Sequence, residues 1–173
     1  TEISLLSFNG IVMSKSLRIA GNDIDEAIVE YFKNHKRILI SARDAEMLKK
    51  ELGDLLDDEV KTMRLNVKNL VTRMPESFEA SSLDVKRAIL PIADKIVGLT
   101  HAMLSSLPPV FAQDIYDQGI LLTGGSAMLQ GLDRYISTKL EIEVNAVKNP
   151  LQNIILGAGR ALEETRYNPL FGA

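Results

Sequence analysis

The chain has 173 residues, of which 46% are hydrophobic and 25% charged, and its formal net charge is -3. These values are typical of a folded globular protein and exclude a disordered one, which needs few apolar residues and a high net charge. A chain without a basic stripe is a poor partner for nucleic acid. The absence of cysteine excludes disulfides and thiolate metal sites. No apolar run approaches the roughly 18 residues that indicate a membrane span.

The start of the chain predicts a β-hairpin. Residues 3–8 and 11–19 are apolar with polar residues interleaved, and Asn9 and Gly10 between them tolerate positive φ. A domain rarely begins inside a strand that has no preceding partner. Because the chain opens at Thr1 almost directly in a strand, we expect it to be part of a longer polypeptide.

Two amphipathic helices are predicted next. Apolar residues recur at helical spacing over residues 23–35, and Asn22 is the expected N-cap. Ser41 and Asp44 predict a capping box at the start of a second helix over residues 43–52.

The middle of the chain combines extended and helical patterns. Residues 61–67 alternate and predict a strand, and a weaker extended stretch follows over residues 69–80. A long helix starts from Ser81 or Ser82, and we expect Pro91 to kink or break it because proline removes a backbone donor.

The last third predicts two strands and two helices. The strands cover residues 119–123 and 142–147, and a helix over residues 126–140 lies between them. A final helix starts at Asn149, and residues after 165 are irregular. We expect its inward-facing residues to be Leu151, Ile154, Ile155 and Ala158.

Strands and helices alternate at both ends of the chain, whereas the middle is more helical. This pattern predicts an α/β fold whose sheet is interrupted by an inserted smaller subdomain. Residues 1–39 and 114–165 then form the part with the main sheet, residues 40–113 form the insertion, and residues 166–173 form an irregular tail.

Two glycines mark the most informative turn. Gly124 and Gly125 follow a hydrophobic strand and precede a predicted helix. Glycines let a backbone approach a flat ligand closely, and a helix N-terminus adds free N–H groups that favour an anion. A tight strand-to-helix turn without any ligand fits the same residues.

The surrounding residues resemble a known family. Residues 119–132, Gly-Ile-Leu-Leu-Thr-Gly-Gly-Ser-Ala-Met-Leu-Gln-Gly-Leu, are similar to the adenosine motif of the actin superfamily in its MreB form. Further stretches match the family in the same order: residues 3–12, 20–28, 45–53 and 149–163. Over residues 1–165 the chain thus resembles the C-terminal half of MreB-type bacterial actins.

The resemblance implies a fold and a nucleotide site. The fold would be an actin-like ATPase (ribonuclease-H-like) domain with an inserted smaller α+β subdomain, corresponding to subdomains IIA and IIB. Adenine and ribose would be lined by Gly124, Gly125, Ser126 and Ala127, with Glu46 and Lys49 reaching over from the insertion. The family usually has a third glycine where Ser126 stands. Without the resemblance, Glu46 and Lys49 would be taken as an exposed helix ion pair.

The resemblance also implies a function for the complete protein. It would bind ATP with magnesium between two domains and assemble head to tail into a cytoplasmic filament beneath the membrane. The filament would help to set cell shape with a RodZ-type membrane anchor and the cell-wall elongation machinery. The phosphate loop and the metal-binding aspartate belong to the other half, so we assign no catalytic or metal-binding residue here and expect no ATPase activity from this half alone. Its membrane association would be indirect.

Two other functions remain open from the sequence. The chain could belong to another ATPase or kinase of the actin superfamily, or it could be a nucleotide-free module that binds a partner. For the filament we expect the loop at residues 107–111 to meet a neighbouring subunit near residues 37–43 and 69–75.

Overall fold

The structure is a computed structural model that describes residues 1–7 and 10–163. Strand β1 (Glu2–Ser7) pairs antiparallel with β2 (Gly10–Ser16), with a bulge between Leu5 and Leu6. The predicted hairpin is therefore confirmed. The turn residue Asn9 and the tail predicted over residues 166–173 lie outside the described residues.

Helix α1 (Gly21–Tyr31) continues into a π-helical turn, Phe32–Lys36. The predicted N-cap is wrong, because Asn22 lies inside the helix and Ala20 is the capping residue. The carboxylate of Asp23 accepts a 2.7 Å hydrogen bond from the Ala20 N–H. This bond satisfies the N–H of Ala20, although Ala20 has no polar side chain with which to cap the helix.

Helix α2 (Ala42–Leu52) begins with the predicted capping box. The Ser41 hydroxyl accepts a hydrogen bond from the Asp44 N–H at 3.1 Å, and the Asp44 carboxylate accepts one from the Ser41 N–H at 3.2 Å. The helix ends at Gly53, as expected. The face turned to the core consists of Ala45, Leu48 and Leu52.

A three-stranded antiparallel sheet follows in the order β3-β4-β5. Its strands are β3 (Ile38–Leu39), β4 (Thr62–Asn69) and β5 (Pro75–Ser81). Both predicted extended stretches are present, but residues 70–74 form the turn between them, so the second strand begins later than expected.

Helix α3 (Ser82–Leu104) is capped by Ser81, whose hydroxyl accepts a hydrogen bond from the Asp84 N–H at 3.2 Å. The helix continues through Pro91, so the break considered from the sequence does not occur. Pro91 is exposed to solvent. Water can therefore bind the Arg87 carbonyl that proline leaves without a partner.

Residues 107–109 are non-helical, as predicted for the loop over residues 107–111, but helix α4 (Val110–Gln118) already begins within that loop. The helix is short and none of its residues is buried. Two short strands follow, β6 (Ile120–Leu122) and β7 (Val144–Ala146), and they pair in parallel.

The continuous helix predicted over residues 126–140 is wrong. The structure has a single 3-10 turn at Gly125–Met128 and then helix α5 (Leu132–Leu140). Gly131 separates them with a φ of 75°, a left-handed conformation that a helix interior excludes.

Helix α6 (Asn153–Glu163) starts after a turn, because Asn149 adopts a positive φ of 54° and ends the preceding segment. The expectation that its apolar residues face the core is wrong. Leu151, Ile154, Ile155 and Ala158 are all exposed. The reason is that α6 extends away from the core of the described chain, and none of its residues is buried.

The hydrophobic core lies among α1, α2, α3 and the three-stranded sheet. Its fully buried large side chains are Phe32, Ile28, Ile38, Leu48, Leu55, Ile89 and Val85. Beside this core, β1 and β6 line a groove of about 540 Å³ together with Ile96 and Met103 of α3.

Within residues 1–7 and 10–163, no helix is long and apolar enough to cross a membrane.

Candidate functional site

The glycine turn lies directly after β6. Gly124 has a φ of 87°, a backbone conformation that favours glycine, although nothing would contact a Cβ at this position. Its N–H donates to the Pro150 carbonyl at 3.1 Å, which fixes the turn against the segment before α6. Gly125 is exposed, so its backbone is accessible to a flat ligand.

The two residues after the glycines differ in burial. Ala127 is buried and donates its N–H to the Gly124 carbonyl at 3.1 Å, whereas Ser126 is half-buried. The turn is a 3-10 helix of four residues, and the first long helix begins only at Leu132. The strong helix dipole predicted at Ser126 is therefore not available there.

Glu46 lies on an exposed part of α2. Its carboxylate accepts a 2.6 Å hydrogen bond from the Lys50 ammonium, one helical turn later. The Lys50 hydrogen bond and charge hold the pKa of Glu46 below its ordinary value. Glu46 also borders a cleft of about 720 Å³ between α1 and α2, to which Val29 and Ile40 contribute apolar surface.

Lys49 is held by α1. Its ammonium donates to Asp25 Oδ2 at 2.9 Å and to the Gly21 carbonyl at 3.1 Å. Oδ1 of Asp25 is also 2.8 Å from the ammonium nitrogen, so the two carboxylate oxygens share the positive charge. Only 17% of the Lys49 side chain and 15% of the Asp25 side chain are exposed. The sequence alternative of an exposed pair between Glu46 and Lys49 is thus not what the structure contains.

The predicted site residues form two groups, Glu46 with Lys49 and residues 124–127. The segments that follow these two groups contact each other. Asp54 forms a parallel bridge with Gln130, and the Leu55 N–H donates to the Gln130 carbonyl at 3.1 Å. A Cβ added to Gly53 would lie 3.0 Å from Leu129. The end of α2 therefore contacts the segment directly after the glycine turn. Among the described hydrogen bonds and ion pairs, none joins Glu46 or Lys49 to residues 124–127.

Sequence reasoning missed Asp25 and the Asp54–Gln130 bridge. Asp25 lies within the first predicted helix, and its partner Lys49 is 24 residues away in sequence. The bridge pairs backbone with backbone, so no side-chain pattern marks it.

Comparison with known proteins identifies the family of this fold. The sequence profile of the family described as MreB/Mbl protein matches residues 1–168. The chain belongs to the MreB/Mbl family. The cell shape-determining protein MreB of Escherichia coli K12 is 36% identical over 164 residues, which cover 94% of this chain and 47% of the relative. The chain thus spans about half the length of the curated MreB/Mbl relatives that it matches.

Solved structures agree with this membership of the MreB/Mbl family. The crystal structure of MreB 5 of Spiroplasma citri bound to AMPPNP matches with a TM-score of 0.91 and 26% identity, over 99% of this chain and 52% of that chain. The MamK double helical filament matches with a TM-score of 0.78 and 22% identity, over 94% and 51% of the two chains, which bears on the fold alone. The predicted actin-like fold is confirmed.

Proposed function

We propose that this chain is domain II of an MreB-like, ATP-binding cytoskeletal filament protein that maintains cell shape. The observation that carries the proposal is the family match over residues 1–168. The relative from Spiroplasma citri was crystallised with AMPPNP, which supports ATP as the ligand of the complete protein. In that protein the other half would hold Mg²⁺ and the phosphates, so this half alone would not hydrolyse ATP.

The chain would supply the adenosine side of the nucleotide cleft. The accessible backbone at Gly124 and Gly125, with Ser126 beside it, would form one wall. Glu46 and Lys49 would form the other wall, and the bridge between Asp54 and Gln130 supports the idea that the two walls act together. Residues 1–39 and 114–165 would correspond to subdomain IIA and residues 40–113 to subdomain IIB. The backbone of Ala127 would complete the first wall.

Nucleotide titration of the full-length protein tests this assignment. A leucine at Gly125 would occupy the exposed backbone surface, so we expect Gly125→Leu to weaken ATP binding at least about tenfold. Gly98→Ala is the matched control, because a Cβ at position 98 meets nothing within 4 Å and lies in α3. Equal ATP affinity in Gly125→Leu and the control would contradict the site and favour a nucleotide-free partner-binding module.

The filament contact would join two exposed surfaces of opposite charge. Helix α4 exposes Val110 and Tyr116, with Asp114 and Asp117 on the same helix. The turn between β4 and β5 exposes Val71 and Met74 and carries Arg73. Lys68 lies nearby in sequence, and the Arg37 carbonyl accepts a hydrogen bond from the Leu70 N–H at 2.8 Å. An acidic surface complementary to a basic one selects the orientation of two subunits. This supports head-to-tail contact of residues 107–111 with residues 37–43 and 69–75 of a neighbour.

Pelleting of the full-length protein tests the filament contact. Charged residues at Val110 and Phe111 should lower assembly, and Val110→Glu alone is the cleaner variant because Phe111 also lines the groove beside β1. Val60→Glu is the control, since Val60 is exposed and precedes the end of β4 opposite the β4–β5 turn. Unchanged pelleting of Val110→Glu would overturn this contact.

The cellular setting follows from the same proposal. The filament would be cytoplasmic and associated with the membrane through the other half and a RodZ-type anchor, and it would act with the cell-wall elongation machinery. The curated relatives are named cell shape-determining proteins, which supports this role.

A further inference from the structure

Asp25 and Lys49 form a pair that joins two helices at the wall of the proposed nucleotide site. The pair links the second turn of α1 to the last turn of α2, 24 residues apart in sequence. Both side chains are mostly buried, and the Gly21 carbonyl accepts a second hydrogen bond from the same ammonium. The ammonium is therefore fixed in position by a carboxylate and a backbone carbonyl.

Two other acidic groups on these helices pair with different lysines. Glu30 pairs with Lys33 at 2.9 Å, and Glu46 pairs with Lys50 at 2.6 Å. Asp25 is thus the carboxylate that neutralises Lys49 among the described residues of α1 and α2. A neutralised ammonium attracts phosphate groups weakly, because its field is cancelled by the adjacent negative charge.

The geometry leaves one donor of Lys49 for a ligand. An ammonium has three N–H bonds. In the described part of the chain they face two acceptor groups, the Gly21 carbonyl at 3.1 Å and the Asp25 carboxylate, whose oxygens lie 2.8 Å and 2.9 Å from the nitrogen. A fixed donor on a neutralised group fits a neutral acceptor, such as a ribose hydroxyl or a ring nitrogen of a purine.

A free lysine side chain loses rotamer entropy when it is fixed in one position. Asp25 and Gly21 have already fixed Lys49 in the folded protein, so a ligand that accepts its hydrogen bond does not bear that cost. We propose that Asp25 is a positioning residue of the nucleotide site and acts on the nucleoside through Lys49. This inference rests on the proposed function.

The test is a double-mutant cycle in the full-length protein. Affinities for ATP, ADP and 2′-deoxyATP are measured for the wild type, Asp25→Asn, Lys49→Met and the double variant, with urea unfolding to verify that each is folded. We expect Asp25→Asn to weaken ATP and ADP binding by the same factor, about tenfold. The double variant should bind no more weakly than Lys49→Met, since Asp25 acts through Lys49. A structural role independent of Lys49 would add a further loss in the double variant and would overturn the proposal.

Comparison of the nucleotides identifies the group that accepts the hydrogen bond from Lys49. A smaller effect of Asp25→Asn on 2′-deoxyATP than on ATP assigns the donor to the ribose 2′-hydroxyl, and an equal effect assigns it to another nucleoside acceptor. Asp58 and Lys86 provide the matched control, because Lys86 also contacts an aspartate, at 2.7 Å, and a backbone carbonyl. Asp58→Asn should leave ATP affinity unchanged.

Three further results would contradict either the proposed function or the positioning role of Asp25. A wild-type protein that does not bind ATP overturns the proposed function itself. A wild type that binds ATP beside an Asp25→Asn variant with unchanged affinity overturns only the positioning role. Tighter binding by Asp25→Asn would show that Asp25 competes with the nucleotide for Lys49, which also overturns it.

Discussion

The ammonium of Lys36 lies 2.9 Å from Oδ2 of Asp84 and so ties the π-helical turn after α1 to the first turn of α3. Asp84 is buried and also accepts hydrogen bonds from the Tyr31 hydroxyl at 3.2 Å and the Ser81 hydroxyl at 2.9 Å. A buried carboxylate is tolerated only when its charge is paired and hydrogen-bonded. The cluster around Asp84 therefore stabilises the contact between two helices of the core.

Removing the cation from this cluster should destabilise the fold. We expect Lys36→Met to lower the free energy of unfolding by about 1–3 kcal/mol, because it leaves the buried Asp84 with only the more distant Arg87, 4.0 Å away, as an ion-pair partner. Lys33→Met, which breaks an exposed pair with Glu30, should lower the free energy of unfolding much less, because solvent screens that pair. Urea unfolding at pH 7 measures both, and equal losses in the two variants would contradict the role of Asp84.

The same cluster predicts a dependence of stability on pH. Burial raises the pKa of Asp84, but hydrogen bonds from Lys36 and Ser81 outweigh burial and keep it below the ordinary value of 3.8. The charged carboxylate therefore contributes stability above that value, and the contribution is lost as pH falls through the lowered pKa of the folded state. The difference in unfolding free energy between wild type and Asp84→Asn should shrink from pH 6 to pH 3. A difference that stays constant over this range would contradict the ion-pair assignment.

Tyr135 gives a second prediction, at alkaline pH. Its hydroxyl donates a 2.6 Å hydrogen bond to Asp94, which joins α5 to α3. Burial, with this hydrogen bond and the Asp94 charge, raises the pKa of Tyr135 to about 12. The stability that the bond supplies should be complete below the ordinary pKa of 10.0 and decline as pH rises toward the folded-state value. Ultraviolet titration should show one late-titrating tyrosine that is absent in Tyr135→Phe; a wild type without it would disprove the bond.

Alanine substitutions at two glycines should change the free energy of unfolding in opposite directions. A Cβ at Gly53 would lie 2.2 Å from the Lys49 carbonyl oxygen and 3.0 Å from Leu129, so Gly53→Ala should cost about 1–3 kcal/mol of unfolding free energy. A Cβ at Gly98 meets nothing within 4 Å inside α3, so Gly98→Ala should stabilise by about 0.5–1 kcal/mol. Chemical unfolding of the two variants beside wild type tests both signs at once.

The exposure of α6 predicts that substitutions of its apolar residues change the stability of this chain little. Ile154 is 68% exposed, whereas Ile89 is 1% exposed in the core. In this chain Ile154→Ala should change the free energy of unfolding by about 0.5 kcal/mol at most, and Ile89→Ala should cost about 2–5 kcal/mol. Comparable losses at both positions would mean that Ile154 is covered within the chain itself.

Local chemistry was predictable from the sequence where neighbouring residues determine it. The capping box of Ser41 and Asp44 spans four positions, and its hydrogen bonds form as the spacing predicts. The hairpin is likewise fixed by two adjacent patterns, β1 and β2.

Features that depend on distant residues were not predictable. The helix expected over residues 126–140 divides at Gly131, next to the bridge from Gln130 to Asp54, about 75 residues away in sequence. The partner of Lys49 was hidden for the same reason. Of the candidate site, the sequence pattern identified the glycine turn, whereas the pairing of Lys49 with Asp25 required the packing of α1 on α2.

The groove between β1 and β6 has a practical consequence for handling the isolated chain. The two sheets beside it have two strands each, which is too few for independent stability, and exposed strand edges next to apolar surface favour aggregation by strand addition. Burial of apolar surface is not weakened by salt, whereas attraction between the acidic α4 and the basic β4–β5 turn is screened. Sedimentation of the 173-residue chain that persists at high salt in both wild type and Val110→Glu would therefore report aggregation, and sedimentation that salt or Val110→Glu abolishes would report the head-to-tail contact.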